Sequence, residues 1–489
     1  MTLPNHKTKI VATIGPASES PAMLERLLRA GLNVARLNFS HGDFSGHAER
    51  IARIRAAEQA TGRRVAIMAD LPGPKMRLDR IEPEPIQLTA GEAFTLTSEE
   101  VIGNMTRVAT SFARLPQVVK PGDRLFLNDG LVQLQVERAS GKDVFCRVTV
   151  GGELRSRKGL NLPGIDLGIG AFTEHDRACL EFAIRQGVDA VSQSFVETGT
   201  DLEELRTAAL GFGRQPFIIA KIERAGALKH FDDILKAADG IMVARGDLGV
   251  EVPIEQIAII QKELIARANL AGKPVITATQ MLESMVSSRL PTRAEATDVA
   301  NAILDGTDAI MLSAESAVGK YPEEAVRMLA GIAAATEERR PPATLEDLRA
   351  FARSHKPTTP AEGIASVVEN ALETVPCAAV FVPTRTGTTA RMISRFKPPV
   401  WVVALSRDEA VNQGLAFSYG VHPLPMPAEH NNWREFANAW LREHRLTGAL
   451  AMLVAGPSSR EPDANHRIEF LRVGSDATAE HPERGEAKP

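Results

Sequence analysis

Short, β-branched apolar runs alternate repeatedly along this chain with amphipathic stretches of helical length. Such an alternation is typical of parallel strands joined by crossover helices. Eight of these runs occur, at residues 9–14, 33–38, 65–70, 190–195, 217–222, 240–244, 275–279 and 309–313. Because eight βα units close into a (β/α)8 or TIM barrel of ~250 residues, we expect an α/β fold with such a barrel formed by residues 1–75 and 162–345.

Helix start signals lie between the predicted strands. Thr173 is followed three residues later by Asp176, and Thr292 by Glu295. At this spacing the hydroxyl accepts a hydrogen bond from a free N–H group of the first turn, and the acid accepts one from the residue that caps the helix. The two pairs therefore predict the starts of two crossover helices.

Two further domains are predicted outside the barrel. In residues 76–161, apolar and polar residues alternate around Gly and Pro turns, as in half-buried antiparallel strands, so we expect a small inserted β-barrel. An insertion in a βα loop lies over the active-site face, and this one is predicted to act as a lid.

The last third of the chain follows a different pattern. A linker with one short helix is expected after residue 337, where charge and proline are frequent. A C-terminal α/β open-sheet domain follows within 346–475, with strands predicted at CAAVFVP, VWVVAL, LAMLVAG and RIEFLRV, and the polar residues 476–489 are expected to be a disordered tail.

Composition excludes several classes of function. Lys plus Arg number 57 against 61 Asp plus Glu, a near balance that gives no global footprint for nucleic acid or an anionic membrane. No apolar run approaches the ~18 residues of a transmembrane helix, and the amino terminus does not resemble a secretory signal. The three cysteines lie far apart without metal-ligand spacing. We therefore expect a cytoplasmic protein that binds neither nucleic acid nor membrane.

The carboxyl ends of the predicted barrel strands, where such barrels carry catalytic groups, are rich in polar residues. Lys221 and Glu223 share one face of the fifth strand, and Asp247 follows the sixth within VARGDLG. Two carboxylates with open positions suit Mg²⁺ (or Mn²⁺), which keeps waters and takes other ligands from substrate oxygens. A plain ion pair for the first two residues and a helix N-cap for Asp247 are the alternatives.

Other strand ends offer groups for an anion. Arg36 lies on one face of the second strand with Asn38 and Ser40, and arginine donates two parallel hydrogen bonds to a phosphoryl group. N–H groups of the turn at Gly246 suit a carboxylate or phosphate, and Thr279 ends the seventh strand, where a helix cap is an open alternative. Together these groups describe a site for phosphoryl transfer, in which a protein mainly positions groups and neutralises charge.

Several long segments resemble the pyruvate kinase family. They occur in the family's order and nearly unbroken, and they are KTKIVATIGPAS, GLNVARLNFSHG, KIE, GIMVARGDLGVE, KPVITATQMLESM and PTRAEATDVANAILDGTDAIMLSAESAVGKYP. The resemblance is close over the barrel and looser over the other two domains. It implies transfer of the phosphoryl group of phosphoenolpyruvate to ADP, giving pyruvate and ATP in glycolysis, by a homotetramer.

The resemblance also implies roles for individual residues. Glu223 and Asp247 would ligate the divalent metal, and Lys221 would stabilise the moving phosphoryl group. The turn at Gly246, together with Asp247 and Thr279, would hold the substrate carboxylate, and Thr279 would lie on the proton path to the enolate carbon.

The same resemblance assigns the phosphate and nucleotide contacts. Arg36 and Arg77 would contact phosphate oxygens, and Arg36 would act in catalysis as well as in binding. His41, Arg77 and Asn38 would lie near the nucleotide.

One segment departs from the family in a way that bears on K⁺. Residues 70–77 read DLPGPKMR where DTKGPEIR is common, so Lys75 stands where potassium-dependent members have glutamate, and Leu71 and Leu78 replace threonines. The monovalent cation of those members would belong beside Asn38, Ser40, Asp70 and Leu71. We expect the Lys75 ammonium to supply that charge, so that K⁺ is not required. A solvated loop lysine is the alternative.

A second segment of interest is TRTGTT in the C-terminal domain, which resembles the family's effector cradle. Glycine and hydroxyls before a helix suit a phosphate, and the segment consists of Thr384, Arg385, Thr386, Gly387, Thr388 and Thr389. The later segment GPSSREPDANHRIEFLRV lacks the Trp and the Gly-rich loop that accompany fructose bisphosphate activation. A different phosphorylated allosteric effector is therefore expected, with an ordinary strand-to-helix loop as the alternative.

Two rival functions share the predicted barrel. A metal-dependent lyase or aldolase also binds pyruvate-like acids through Mg²⁺, but it needs neither a lid nor Arg36 placed for a transferred phosphate. A non-catalytic relative that keeps the fold would be expected to lose Lys221, Glu223 or Asp247, and all three are present.

Overall fold

The chain begins with three strands of a parallel sheet and the two helices that connect them. The computed structural model describes residues 3–340, 359–426, 432–456 and 466–474. The first strands and helices are β1 (Lys9–Thr13), α1 (Pro21–Ala30), β2 (Val34–Asn38), α2 (Phe44–Thr61) and β3 (Ala66–Leu71). Helix α1 ends at Gly31, whose φ of +122° is one that other residues rarely adopt.

An antiparallel β domain follows β3 and interrupts the barrel. Its elements are β4 (Ile86–Leu88), β5 (Ala93–Thr97), β6 (Arg107–Ala109), α3 (Leu115–Val118), β7 (Arg124–Leu127), β8 (Val132–Ser140), β9 (Asp143–Val150), β10 (Gly152–Leu154) and β11 (Leu160–Asn161). The strands form a six-stranded sheet, ordered β11-β7-β8-β9-β5-β6, and a separate β4-β10 pair. One apolar core, which includes Phe94, Leu125 and Leu134, fills the domain.

The inserted β domain is thus confirmed, and its six-stranded sheet is closed by isolated bridges: Arg77 pairs with Gly159 beside β11, and Leu78 pairs with Thr110 beside β6. In the described structure no ladder joins β6 to β11, and β4 and β10 pair only with each other. The edge strands β6 and β11 are only three and two residues long, too short for a closing ladder.

The remaining five strands complete the large barrel. They and their helices are α4 (Glu174–Arg185), β12 (Ala190–Gln193), α5 (Gly199–Gly211), β13 (Phe217–Ile222), α6 (Ala225–Lys229), α7 (Phe231–Ala237), β14 (Gly240–Ala244), α8 (Arg245–Glu251), α9 (Ile257–Leu270), β15 (Val275–Ala278), α10 (Arg293–Leu304), β16 (Ala309–Leu312), α11 (Ala314–Ala317) and α12 (Pro322–Glu338). The closed order is β1-β16-β15-β14-β13-β12-β3-β2, and every pairing is parallel. The predicted (β/α)8 barrel is therefore confirmed. Both predicted capping pairs start helices, at α4 and α10.

The barrel core is layered in a way that fixes where function can reside. Side chains such as Val11 and Met242 fill the interior, and a larger apolar layer packs between the strands and the helices. At the amino ends of the strands, Phe417 of the C-terminal domain stacks on Phe217, with ring centroids 5.3 Å apart, and closes that end. The opposite end of the barrel, formed by the carboxyl ends of the strands, faces the inserted domain.

The C-terminal domain is an open, mostly parallel sheet with helices. Its elements are α13 (Pro360–Thr374), β17 (Ala379–Pro383), α14 (Thr388–Ser394), β18 (Trp401–Ser406), α15 (Glu409–Leu415), β19 (Val421–Pro425), α16 (Trp433–His444), β20 (Leu450–Ala455) and β21 (Arg467–Arg472). The strand order is β19-β18-β17-β20-β21, with only β21 antiparallel to its neighbour. The four predicted strands are confirmed, but β19 was not predicted, because Pro423 and Pro425 disguise it.

Some predicted features lie outside the described residues. These are the linker helix expected between residues 341 and 358 and the tail expected at 476–489. Among the helices that the structure describes, none is both long enough and apolar enough to span a bilayer.

Candidate active site

A buried lysine forms the centre of the polar cluster at the carboxyl ends of the strands. Lys221, near the end of β13, is 9% exposed. Its Nζ lies 2.8 Å from Glu223 Oε1 and 3.3 Å from Asp70 Oδ1, and it donates to Ser194 Oγ at 2.6 Å. Burial alone would lower the pKa of Lys221, but the two carboxylates raise it. The side chain is therefore a fixed ammonium ion in a nearly dry site.

Asp70 connects this lysine to Arg36 on the neighbouring strand. Its carboxylate accepts from Arg36 Nε at 2.9 Å and from Ser192 Oγ at 2.7 Å. Arg36 Nη1 donates to Thr13 Oγ1 at 2.8 Å. Burial would raise the pKa of Asp70, but Lys221 and Arg36 outweigh it and hold the value at about 2. The Asp70 carboxylate thus holds both the Lys221 ammonium and the Arg36 guanidinium in place at the bottom of the cleft.

Glu223 and Asp247 form the acidic part of the site. Glu223 is 2% exposed, and its Oε2 accepts from Phe195 N at 2.8 Å. Burial raises the pKa of Glu223, the Lys221 ammonium opposes this shift, and the Asp247 carboxylate adds to it. The predicted N-cap alternative for Asp247 is wrong, because α8 already begins at Arg245 and Asp247 lies inside its first turn.

This pair of acids meets the chemical requirements of a divalent metal ion. Two carboxylates that repel each other in a mostly buried cleft are stabilised by a hard cation, which takes oxygen ligands. No third His, Cys, Asp or Glu side chain joins them to make a larger cluster anywhere in the described parts of the chain. A metal held here would keep open positions for water or for substrate oxygens.

The turn after β14 is tied to the loop after β15. Thr279 Oγ1 accepts from Gly246 N at 2.7 Å, and Arg245 Nη2 donates to the Thr279 carbonyl at 2.9 Å. Thr279 has a φ of +69°, an uncommon conformation for a β-branched residue and one that often marks a functional site. The helix-cap alternative for Thr279 is wrong, since the next helical turn starts at Glu283 and is preceded by Leu282.

Cationic side chains gather at the rim beside the inserted domain. Partial burial lowers the pKa of His41, and the nearby charges of Arg77, Lys75 and Arg36 lower it further. Lys75 Nζ lies 4.0 Å from Asp247 Oδ1. Lys75 therefore faces the acidic part of the site and is not a loop lysine remote from it.

Not every residue of the predicted monovalent-cation region points into the site. Asn38 Oδ1 accepts from the Ser40 N–H at 3.1 Å, which is a local turn contact. The side chain of Leu71 lies in the layer between strands and helices, and that of Leu78 lies in the core of the inserted domain. The absence of threonine hydroxyls at these two positions is therefore no argument against a bound cation. The backbone carbonyl of Leu71 does belong to the polar cluster, where it accepts a hydrogen bond from Ser194 Oγ at 2.7 Å.

The predicted phosphate loop lies away from this site, between β17 and α14. Gly387 has a φ of +78°, and its N–H donates to Thr384 Oγ1 at 2.9 Å. Arg391 Nη2 reaches back to the Thr386 carbonyl at 2.8 Å. The loop thus combines hydroxyls with its own Arg385 and with Arg391 of the following helix.

Several contributing residues were not assigned from the sequence. Ser192 and Ser194 occupy alternate positions of one strand and bind Asp70 and Lys221, and Thr13 binds Arg36. The period of two in AVSQSF was the available signal for both serines. Arg224, next to Glu223, belongs with them, since nothing in the sequence identifies its distant partners.

Comparisons with known proteins agree with this geometry. Residues 5–326 match the family model described as "Pyruvate kinase, barrel domain", and residues 362–465 match "Pyruvate kinase, alpha/beta domain". A pyruvate kinase of Thermococcus litoralis is 49% identical over 432 residues, covering 88% of this chain and 91% of that protein. One from Mycobacterium tuberculosis is 39% identical over 96% of this chain and 98% of that protein. A crystal structure of a pyruvate kinase from Cryptosporidium parvum superposes with a TM-score of 0.88 at 34% identity, covering 96% of both chains.

Proposed function

Because this chain belongs to the pyruvate kinase family, and is therefore a phosphotransferase, we propose that it transfers the phosphoryl group of phosphoenolpyruvate to ADP. The products are pyruvate and ATP, and the reaction is a step of glycolysis. The observation that supports this most strongly is the Lys221 ammonium, fixed 2.8 Å from Glu223 and 3.3 Å from Asp70 at the carboxyl end of the barrel. A charge held in place before the reaction stabilises a transition state without reorganisation.

In the proposed reaction the phosphorus–oxygen bond of phosphoenolpyruvate breaks as a terminal oxygen of ADP bonds to phosphorus. Lys221 and Arg36 neutralise the charge on the transferred group, and Arg77 contacts phosphate oxygens from the rim. The departing enolate takes a proton at its terminal carbon and becomes pyruvate. Thr279 lies on the path of that proton, and its hydroxyl is already held by the Gly246 N–H.

Glu223 and Asp247 are the residues that would hold Mg²⁺ or Mn²⁺. A divalent ion supplies Lewis acidity, neutralising the charge on phosphoryl and enolate oxygens. The substrate carboxylate would lie against the turn at Gly246, beside Asp247 and Thr279. Nucleotide phosphates would approach from the rim, where His41, Asn38 and Arg77 occur.

Independence from K⁺ is the second part of the proposal. Lys75 lies 4.0 Å from Asp247, so its ammonium already supplies a positive charge beside the acidic part of the site. The region that would otherwise take a monovalent cation, namely Asn38, Ser40, Asp70 and the Leu71 carbonyl, borders the same cleft. The proposal of K⁺ independence rests on Lys75 alone, because the side chains of Leu71 and Leu78 pack in hydrophobic cores away from the cleft.

We further propose that the TRTGTT loop, residues 384–389, takes a phosphorylated allosteric effector other than fructose 1,6-bisphosphate. Its hydroxyls and the nearby Arg391 guanidinium support an anionic ligand. Half of the atypical segment that led to this choice of effector, residues 457–465, lies outside the described residues. Screening sugar phosphates and nucleotide monophosphates against wild type and Thr388→Glu tests it, and strong activation by fructose 1,6-bisphosphate would refute it.

A cytoplasmic homotetramer is the proposed form of the enzyme. Family membership supports it, and so do large exposed apolar side chains: Ile254 and Ile259, just before and within α9, and Leu290, just before α10, are 73%, 66% and 66% exposed. Apolar surface of this kind is typical of an interface between subunits. Sedimentation analysis of the purified chain tests this, and a monomer at micromolar concentration would contradict it.

The reaction itself is tested by following ADP-dependent formation of pyruvate from phosphoenolpyruvate with and without Mg²⁺. We expect pyruvate and ATP in equal amounts, and only when both ADP and the metal are present. Pyruvate formed without ADP, or cleavage or condensation of an oxo acid, would instead support the lyase or aldolase alternative.

A further inference from the structure

Arg224 is a buried charge that the proposed reaction does not use. It directly follows Glu223, and its side chain is only 7% exposed. Nη1 lies 2.5 Å from Glu197 Oε1, Nε lies 4.0 Å from Glu251 Oε2, and Nη2 donates to the Ile165 carbonyl at 2.9 Å. One guanidinium thus joins two carboxylates and a backbone carbonyl from three separate segments.

Each of these segments has a defined place in the fold. Glu197 belongs to the loop between β12 and α5, and Glu251 is the last residue of α8. Ile165 belongs to the segment 162–170, by which the chain returns from the inserted domain to the barrel. That segment is one of the two covalent connections between the inserted domain and the barrel.

Glu251 is bound from several sides at once. Its carboxylate accepts a hydrogen bond from Ala225 N at 3.4 Å. Burial raises the pKa of Glu251, and Arg224 together with hydrogen bonds from the backbone of Ala225 and Gly164 counteracts that rise. Its side chain is 4% exposed. The same carboxylate therefore contacts the end of the Glu223 strand and the returning segment.

Helix α8 connects Glu251 directly to Gly246 and Asp247. It spans seven residues, or ~10 Å at 1.5 Å per residue. Gly246 and Asp247 lie in its first turn, at the opposite end from Glu251. Because the helix is so short, losing the buried contact at Glu251 is expected to shift the Asp247 carboxylate at its other end.

We propose that Arg224 is a positioning residue that couples the returning segment of the lid, 162–170, to α8 and so to the orientation of Asp247. This inference rests on the proposed role of Asp247 as a metal ligand. The Arg224 guanidinium is occupied by Glu197, Glu251 and the Ile165 carbonyl, so it acts through these partners and not on the reacting atoms. The planar fork of arginine reaches all three partners, whereas a lysine ammonium has no such fork.

The test compares Arg224→Met, Arg224→Lys and Glu251→Gln in the full-length protein. Changing groups that orient a metal ligand typically costs 10–100-fold in metal affinity, so we expect the half-saturating Mg²⁺ concentration and the KM for phosphoenolpyruvate to rise about tenfold or more. The value of kcat should fall by a smaller factor. Hydrogen exchange should accelerate in 162–170 and 245–251 together, and Arg224→Lys should restore the melting temperature but not the Mg²⁺ affinity.

Arg55→Met is the matched control, because Arg55 also pairs with a buried acid, Asp189, at 2.6 Å, and donates to the Val65 carbonyl at 2.9 Å. Those partners lie at the amino ends of the strands. Arg55→Met should lower the melting temperature and leave Mg²⁺ affinity unchanged.

Three results would overturn the coupling. The first is normal Mg²⁺ affinity in Glu251→Gln. The second is normal Mg²⁺ affinity in Arg224→Lys, which would mean that any cation at this position suffices. The third is faster hydrogen exchange confined to one of the two segments. If Arg224→Met does not fold, the other two variants decide. Titration of Asp247→Asn separates this outcome from a failure of the proposed metal site, since unchanged Mg²⁺ dependence there refutes the site itself.

Discussion

Replacing Lys75 by glutamate reverses the charge beside the acidic part of the site, and the structure sets the size of the effect. Lys75 Nζ lies 4.0 Å from Asp247 Oδ1, with the two side chains 35% and 24% exposed. Two unit charges at that distance interact by about 1 kcal/mol in water and about 4 kcal/mol at an effective dielectric of ~20. Because both side chains are partly solvated, about 1–2 kcal/mol is the appropriate value.

A monovalent cation bound at a similar distance from residue 75 meets an interaction of the same size, and reversing the charge doubles it. Lys75→Glu should therefore change the free energy of cation binding by about 2–4 kcal/mol. That corresponds to ~30- to ~1,000-fold in the affinity for a monovalent cation. We therefore expect wild type to be nearly as active in tetramethylammonium buffer as in K⁺. The Lys75→Glu variant should become active only when K⁺ is added.

The assay is steady-state pyruvate formation in buffers that differ only in K⁺, Na⁺ or tetramethylammonium at one ionic strength, since exposed charges are screened by salt. Lys142→Glu makes the same change in net charge at an exposed turn between β8 and β9 and should leave the cation response unaltered. A wild-type enzyme that is almost inactive until K⁺ is added would refute the reasoning, as would a Lys75→Glu variant that remains indifferent to K⁺.

Three further predictions concern the floor of the cleft. Lys221→Met should lose at least ~10²–10³ in kcat, because one preorganised electrostatic group is removed, and a raised KM at normal kcat would contradict the role. Thr279→Val should lower kcat by ~10²-fold or more while Thr279→Ser retains most activity, and equal kcat values for the two variants would contradict a role for the hydroxyl. Asp70→Asn should destabilise the fold by about 3–5 kcal/mol at pH 7 in urea unfolding, since it leaves Arg36 and Lys221 without their shared anion. The pKa of Asp70 is lowered to about 2 in the fold, so this aspartate stabilises the protein above pH ~4 and loses that contribution as pH falls toward 2; a variant with the wild-type acid profile would contradict the assignment.

Much of the fold was predictable because it is specified by residues that lie close together in the sequence. The barrel strands are apolar runs of fixed length between amphipathic helices, and Thr173 with Asp176 marks a helix start through neighbouring atoms. Strand β19 was not predicted, since Pro423 and Pro425 lack donors and only the edge position of the strand tolerates them. The closure of the inserted domain through Arg77 and Leu78 depends on which segments meet in space, and alternation along one strand does not encode that.

The candidate site was predictable to the extent that strand periodicity places side chains on one face. Lys221 and Glu223 were paired in this way, and their 2.8 Å separation confirms the pairing. The contact of Lys75 with Asp247 and the contacts of Arg224 join segments far apart in the chain, so they required the structure. Leu71 follows Asp70 on the same strand, so the alternation that points Asp70 into the site directs the Leu71 side chain toward the helices.

The most direct test of the proposed chemistry is the divalent-metal requirement of Glu223→Gln and Asp247→Asn. Binding of Mn²⁺ is measured by electron paramagnetic resonance, and phosphoryl transfer from phosphoenolpyruvate to ADP is measured over a Mg²⁺ titration. Each substitution removes one of two carboxylate ligands, so we expect both variants to bind Mn²⁺ at least tenfold more weakly and to transfer phosphoryl groups slowly even at saturating Mg²⁺. Wild-type Mn²⁺ affinity together with wild-type activity in both variants would contradict the assignment of this cleft as the site of phosphoryl transfer.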